Sequence, residues 1–404
     1  MTCFDVVNDT PTTNKTIFLR CDLDVPLNEN GAIIDDRKIK DALPTLNYLV
    51  KTGARVVIGT HLGNPKGEKN EKLSTRVLAE YLDRHLRCDV FFCDDCIGED
   101  TKRTIFRASY GDVVMLENLR FYKEEYTCDL NFAKQLADGM NVYVNDTFAV
   151  SNHSYASIIG VPLFIRATAG FSLQREVENL DKVLQGGGQN IIAIIGGGRL
   201  SAKIDIINNL IEKVQYIFIC GAVANTFFKE AGYNIGKSMY EPEYTKYVDG
   251  ILKKATLNNC IIATPEEVIV SKDITGKSKT SIKKITELED DDIIVDVGEK
   301  YVNLIKMVIN KTKYVIWNGT LGISEMSAFN KGDMSLIDEI TKLTKKKKIF
   351  SIAGGNDTFA SIIKSGKQDD FSFLSYNGES FTNYLAGRVV PGVEILHRLA
   401  KQPE

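Results

Sequence analysis

The sequence has 404 residues, 44% of them hydrophobic and 25% charged, with a formal net charge of −3 at pH 7. That length exceeds one simple core and fits two domains of ordinary size. The near balance of charge excludes nucleic acid or an anionic membrane as a general partner, so any bound anion must be held by locally placed cations.

The amino-terminal stretch "MTCFDVVNDTPTTNKT" has no apolar core of signal-peptide length, and no apolar run approaches the roughly 20 residues of a membrane span. Eight cysteines are scattered too widely for a disulfide framework, which points to a reducing, cytoplasmic setting. Cys93 and Cys96 form a C-x-x-C, but no second pair and no histidine at zinc spacing accompany them. The plain expectation there is a strand end followed by an acidic turn.

In chain order, "KTIFLRCDLDV" reads as a strand and "KIKDALPTLNYLVKTG" as a helix ended by Gly53. "ARVVIGTHLG" is a strand, "STRVLAEYLDRHL" a helix and "DVVMLENLRF" a strand. "DLNFAKQLADGM" is a helix and "NVYVNDTF" a strand. This is the rhythm of a parallel sheet covered by helices. It breaks at "VPLFIRATAG", and "SLQREVENLDKVLQ" follows with apolar residues at helical spacing. After "GGGQN" a second series begins with "IIAIIGG". It continues through "VQYIFICGA", "CIIATPEEVIV", "DIIVDVG", "YVIWNG", "KKIFSIAGG" and "DFSFLSYNG". The lysine runs "KSKTSIKK" and "KKKK" are expected to solvate a loop and a helix end. The chain is thus α/β, with two halves of similar size joined by a helix near residues 163–185.

In open parallel sheets, ligands bind beyond the carboxyl ends of the strands, at the following loops and helix N-termini. In the second half those positions hold "GGGR" ahead of Lys203, "CGAVANT", "WNGTLGISE", "GGNDT" and "SYNGES". Glycines there let main-chain N–H groups approach phosphate, and Arg199 and Lys203 lie about one helical turn apart. Asp357 beside Thr358 offers the carboxylate and hydroxyl suited to Mg²⁺ on a nucleotide. Neither G-x-G-x-x-G nor G-x-x-x-x-G-K-[ST] marks these loops, which disfavours a dehydrogenase or a P-loop enzyme. In the first half the same positions hold "RCDLDVP", "DDRKIKDALPT", "THLGNPKG", "LENLRFYKEE" and "NDTFAVSNHSYAS", with His61 and Arg120 as the evident polar probes.

Jointly, "LENLRFYKEE", "VIWNGTLGISE", "AGGNDT" and "VVPGVEIL" resemble phosphoglycerate kinases in order and spacing over essentially the whole chain. The resemblance implies two Rossmann-like domains with parallel sheets, an interdomain helix and a hinge. Residues 1–165 with 385–404 would form the acceptor domain, 166–186 the helix, and 187–384 the nucleotide domain. It implies ATP or ADP with Mg²⁺, 3-phosphoglycerate as acceptor, and a monomer.

By that resemblance Lys203 contacts the α-phosphate, and Arg199 stands where the family has a lysine that follows the transferred phosphoryl group. Asn318 reaches the phosphates, Glu325 the ribose, and Gly221 and Gly298 flank the adenine. Within the loop of Gly355 and Asn356, Asp357 holds Mg²⁺ and Thr358 a phosphate oxygen. On the acceptor side Asp22, His61 and Arg120 match the family. Lys38, Asn64 and His153 replace arginines, and Asp24 replaces an asparagine. The catalytic set would be Lys38, Arg199, Lys203 and Asp357.

Charge-assisted hydrogen bonds are worth about 1.5–3 kcal/mol each, so three weakened or lost amount to roughly 4–8 kcal/mol before non-additivity. Lys38 keeps its charge without the bidentate fork, and Asp24 would repel a substrate carboxylate. Arg37 and Lys66 are the neighbours able to compensate. The competing expectations are an impaired nucleotide-binding paralogue, or a kinase for a different small carboxylate.

Overall fold

The computed structural model describes residues 4–185 and 190–401. The glycine run 186–188 expected to restart the second half lies outside them, as do Cys3 and the last three residues of the expected C-terminal return. The chain divides into two compact units, Met1–Glu178 with Val389–Glu404, and Asn179–Arg388.

The first unit is built on six parallel strands: β1 (Thr16–Cys21), β2 (Arg55–Gly59), β3 (Val90–Phe92), β4 (Val113–Met115), β5 (Val142–Asp146) and β6 (Arg166–Ala169). Their order is β3-β4-β2-β1-β5-β6. β2, β4 and β3 lie on one side of β1 and β5 and β6 on the other, so the sheet reverses between β1 and β5. Every residue of β1 and β5 is buried, as expected of central strands covered on both faces. One face packs Ile17, Leu19, Val56 and Val144 against the helices Arg37–Lys51 and Arg76–His85. The other packs Phe18, Val57, Val114 and Tyr143 against Leu130–Ala137.

The helix expected to begin at residue 166 begins at Phe171, and Arg166–Ala169 is instead the edge strand β6. The physical reason is capping. The free N–H groups of Phe171 and Ser172 are taken by Thr45 Oγ1 at 2.9 Å and Asp146 Oδ1 at 2.8 Å, which fixes the helix start one residue after Gly170. "DVVMLENLRF" is a strand only to Met115. Asn118 accepts the Arg120 N–H at 3.0 Å and turns the chain into a short 3₁₀ segment, Leu119–Phe121.

The helix Pro391–Ala400 packs on the first unit although it follows the second in sequence. Gly392 donates its N–H to Ser151 O at 2.8 Å and accepts from Asn145 Nδ2 at 3.3 Å.

The second unit holds another six-stranded parallel sheet. Its strands are β7 (Ile191–Ile195), β8 (Tyr216–Ile219), β9 (Ile261–Ala263), β13 (Tyr314–Asn318), β14 (Phe350–Gly354) and β15 (Phe373–Ser375), in the order β15-β14-β13-β7-β8-β9. It reverses between β7 and β13. Between β9 and β13 the chain forms a separate antiparallel sheet of β10 (Glu267–Ser271), β11 (Ser281–Lys284) and β12 (Ile293–Val297). Periodicity alone did not separate this sheet. "CIIATPEEVIV" divides between two sheets, and the lysine run "KSKTSIKK" ends in β11, where Lys283 pairs with Asp292 at 2.8 Å. The run 345–348 does lie at a helix end.

Candidate active site

Each sheet reverses once, and the loops at the carboxyl ends of the strands beside such a reversal are where a parallel sheet receives a ligand. In the first unit the loops after β1, β2, β4 and β5 bring the expected acceptor residues together. Asp22 pairs with Lys38 at 2.9 Å. Asp24 accepts the Gly63 N–H at 2.7 Å and faces His61 Nε2 at 3.6 Å. Arg120 donates to Gly63 O at 2.9 Å, and its buried Nε has no hydrogen-bond partner among the described residues. Asn64 accepts from the Tyr126 hydroxyl at 2.9 Å. His153 stacks on Tyr155 at 4.8 Å. Arg37 pairs with Asp35, its Nε lying 3.0 and 2.8 Å from the two carboxylate oxygens.

Beneath these groups lies a layer that the sequence reading did not single out. Arg20 is fully buried, with Nε on Ser157 Oγ at 2.9 Å, Nη1 on Cys21 O at 2.7 Å and Nη2 facing His61 Nδ1 at 3.2 Å. Ser157, on a π-helical turn, gives its N–H and hydroxyl to the buried carboxylate of Glu125 at 2.9 and 2.6 Å. An arginine inside the apolar strand "TIFLRC" is the signal available in sequence, because such a charge must find a partner.

This layer also fixes the electrostatics. Burial lowers His61 to about 4, and the nearby guanidinium of Arg20 acts in the same direction. With Nδ1 accepting from Arg20, the neutral ring keeps its proton on Nε2, toward Asp24. Burial opposes ionisation of Asp24, but the His61 and Gly63 hydrogen bonds and the Lys38 charge outweigh it and hold the carboxyl well below its usual range. Lys38 is raised in turn, because Asp22 and Asp24 outweigh its burial. The Asp24 charge that sequence suggested would repel a substrate is therefore already engaged by protein groups.

In the second unit the loops after β7 and β13 meet at the reversal. Gly196 N–H donates to Asn318 O and Gly197 N–H to Thr320 O, both at 3.0 Å. A Cβ on Gly196 would overlap the Thr320 carbonyl, and one on Gly319 the Gly196 carbonyl, so only glycine allows this approach. Lys203 Nζ bonds Asn318 Oδ1, and Asn318 Nδ2 donates to Gly354 O at 2.8 Å. Thr358 Oγ1 accepts the Gly319 N–H at 2.6 Å. A Cβ on Gly197 would sit 3.9 Å from both Lys203 Cε and Asp357 Oδ2, which outlines a bare cradle between a cation and a carboxylate.

Asp357 is exposed and accepts no hydrogen bond among the described residues. Its free carboxylate, facing that cradle, fits a Mg²⁺ carried by nucleotide phosphates. Burial lowers Lys203 to about 8 while Asp357 acts to raise it.

Gly221 opens the helix Gly221–Glu230, and a Cβ there would lie 2.8 Å from Gly197 N and O. Gly355 caps the helix Asn356–Ser365 at φ 95°, and Arg199 and Glu325 are exposed on their loops. Gly298 is not drawn to this cluster by its contacts. It follows β12 of the antiparallel sheet, caps the helix Glu299–Ile309 and packs on Glu267, its N–H donating to Glu267 O at 3.0 Å.

Supporting this cluster, Asp333 accepts the Leu321 N–H at 2.9 Å and Asp296 the Gly332 N–H at 2.9 Å. Burial pushes both carboxyls up to about 7. A raised carboxyl stabilises fully below its unfolded value of 3.8 and loses that contribution as pH rises through about 7. The stability of the protein relative to Asp333→Asn is therefore expected to fall between pH 4 and 7, by up to about 4 kcal/mol. Urea unfolding followed by the fluorescence of Trp317, the sole tryptophan, measures it; a pH-independent difference contradicts it.

The C-x-x-C cysteines lie elsewhere. Cys93 and Cys96 are buried free thiols, Cys96 donating to Glu117 O at 2.9 Å, and burial raises both. Among the described residues no helix is long and apolar enough to cross a membrane.

A sequence profile described as phosphoglycerate kinase matches residues 7–388. The phosphoglycerate kinase of Wolbachia pipientis wMel is 40% identical over 387 residues, covering 95% of this chain and 96% of that protein. Among solved structures, phosphoglycerate kinase from Coxiella burnetii matches with a TM-score of 0.91 at 31% identity, over 98% of this chain and 100% of that one. The crystal structure of phosphoglycerate kinase from Pyrococcus horikoshii OT3 matches with a TM-score of 0.80 at 27% identity, over 98% and 99% of the two chains.

Proposed function

The chain belongs to the phosphoglycerate kinase family, phosphotransferases with a carboxyl group as acceptor, and from that premise we propose how its residues divide the work. It transfers a phosphoryl group reversibly between ATP and 3-phosphoglycerate, in glycolysis or gluconeogenesis. The nucleotide binds on the second unit and the acceptor on the first. The carrying observation is the junction of Gly196, Gly197 and Gly319 with Lys203, Asn318, Asp357 and Thr358.

The attacking carboxylate is already ionised, so no general base is needed, and catalysis is positioning with neutralisation of charge. Lys203 and Arg199 offset the phosphate charge, the Gly221 and Asn356 helix N-termini add positive potential, and Thr358 and Asn318 orient phosphate oxygens. Asp357 would hold Mg²⁺, which when bound neutralises the phosphate tail. Gly298 and Glu325 remain assigned to the adenine and ribose by resemblance alone. In the first unit Arg120 and Lys38 grip the acceptor, while neutral His61, its Nε2–H toward Asp24, steadies that carboxylate. A cytosolic location and a monomeric state belong to the same reading.

A coupled assay with ATP, Mg²⁺ and 3-phosphoglycerate is expected to show turnover at least about 10²-fold above Asp357→Ala. Turnover equal to that variant overturns the reading. Because Asn64 and His153 stand where the family has arginines, an acceptor site of reduced strength is the second reading. A large gain in kcat/KM in Asn64→Arg with His153→Arg supports it.

A further inference from the structure

The loop Gly63–Gly67 and the segment Arg120–Tyr126 are joined by four hydrogen bonds. Two fix the ends of the loop: Arg120 Nη1 to Gly63 O at 2.9 Å, and Gly67 N–H to Arg120 O at 3.0 Å. The other two converge on one atom in the middle. The Tyr126 hydroxyl accepts the Lys66 N–H at 3.2 Å and donates to Asn64 Oδ1 at 2.9 Å.

Lys66 has φ 59°, a left-handed conformation uncommon for a residue with a Cβ. With Oδ1 engaged, the Asn64 amide keeps two Nδ2 protons that have no partner among the described residues. The Tyr126 ring meets Tyr155 edge-on at 5.6 Å, and the Arg120 guanidinium lies 6.0 Å from the Tyr126 ring centre and 5.5 Å from that of Tyr155. Through Tyr155 the same cluster reaches His153. One phenol thus ties Asn64 and Lys66 and lies against Arg120.

Resting on the assignment of this site to 3-phosphoglycerate, we propose that Tyr126 is a positioning residue of the acceptor site. Its hydroxyl presents the Asn64 amide and the Lys66 cation to the substrate's phosphate group, which partly makes up for the arginine absent at position 64. A neutral donor held in place substitutes for a charge.

Steady-state kinetics of the full chain test this with Tyr126→Phe, which keeps the ring and its packing but removes both central hydrogen bonds. The KM for 3-phosphoglycerate is expected to rise about tenfold, with kcat and the KM for ATP changed less than about twofold. The melting temperature should hold. Lys66→Ala should cost less in the Tyr126→Phe background than alone, because both act through one loop. Adding Asn64→Arg to Tyr126→Phe should recover most of the lost affinity. An unchanged KM for 3-phosphoglycerate overturns the proposal, as does a parallel loss of kcat, both KM values and melting temperature. Absence of turnover in the unaltered protein overturns the site assignment and this proposal with it.

Discussion

Lys203→Met is expected to lower kcat/KM by about 10³-fold while leaving the fold intact. Lys203 is held between Asn318 Oδ1 and the cradle of Gly197, and the Asp357 charge opposes the effect of burial on its ionisation. A cation in such a place is worth most where phosphate charge develops, because little water screens it. Methionine keeps the length and removes the charge.

The sign of the pH effect follows from burial, which lowers the free ammonium to about 8. Anion binding needs the protonated form. ADP affinity measured by calorimetry should therefore weaken as pH rises from 7 through 9, with proton uptake on binding near pH 8. Lys203→Arg should abolish that slope, since a guanidinium does not titrate there. Normal turnover in Lys203→Met would remove this residue from the mechanism.

Gly319→Ala is expected to destabilise the second unit by more than about 4 kcal/mol, enough to leave little folded protein. Its φ is 99°, and a Cβ would overlap the Gly196 carbonyl on backbone that cannot yield without breaking the Gly196-to-Asn318 bond. Gly366 is the control. It also has positive φ, 70°, but nothing lies within 4 Å of a Cβ there, so Gly366→Ala should cost only about 1–2 kcal/mol of backbone strain. Trp317 is fully buried beside this junction, its indole N–H on Gly319 O at 2.8 Å, and its fluorescence reports both variants in urea. Equal midpoints would show that close approach is not what glycine serves at position 319.

Sequence made the glycine junction of the second unit legible because its chemistry is local. Glycines, a lysine and Asp357 with Thr358 all fall at strand ends, and strand ends follow from apolar runs. The two parallel sheets were legible for the same reason. What escaped was set by tertiary pairing. β6 has four residues, too short for periodicity to separate from loop. β12 carries the apolar pattern of a parallel strand yet pairs antiparallel with β10, and nothing within it announces its partner. Arg20, Glu125 and Ser157 lay inside recognised segments, but their network joins residues up to 137 positions apart. The Asp24 charge was visible; its engagement by Gly63 and His61, nearly forty residues later, was not.

The Gly392 bonds to Ser151 and Asn145 place a late-synthesised strap under the loop that carries His153. During translation, a chain stopped at Arg388 already contains every residue of the second unit, but lacks this support for the first. Such a truncated product would retain the glycine junction of the second unit while the loop that carries His153 stays unbraced.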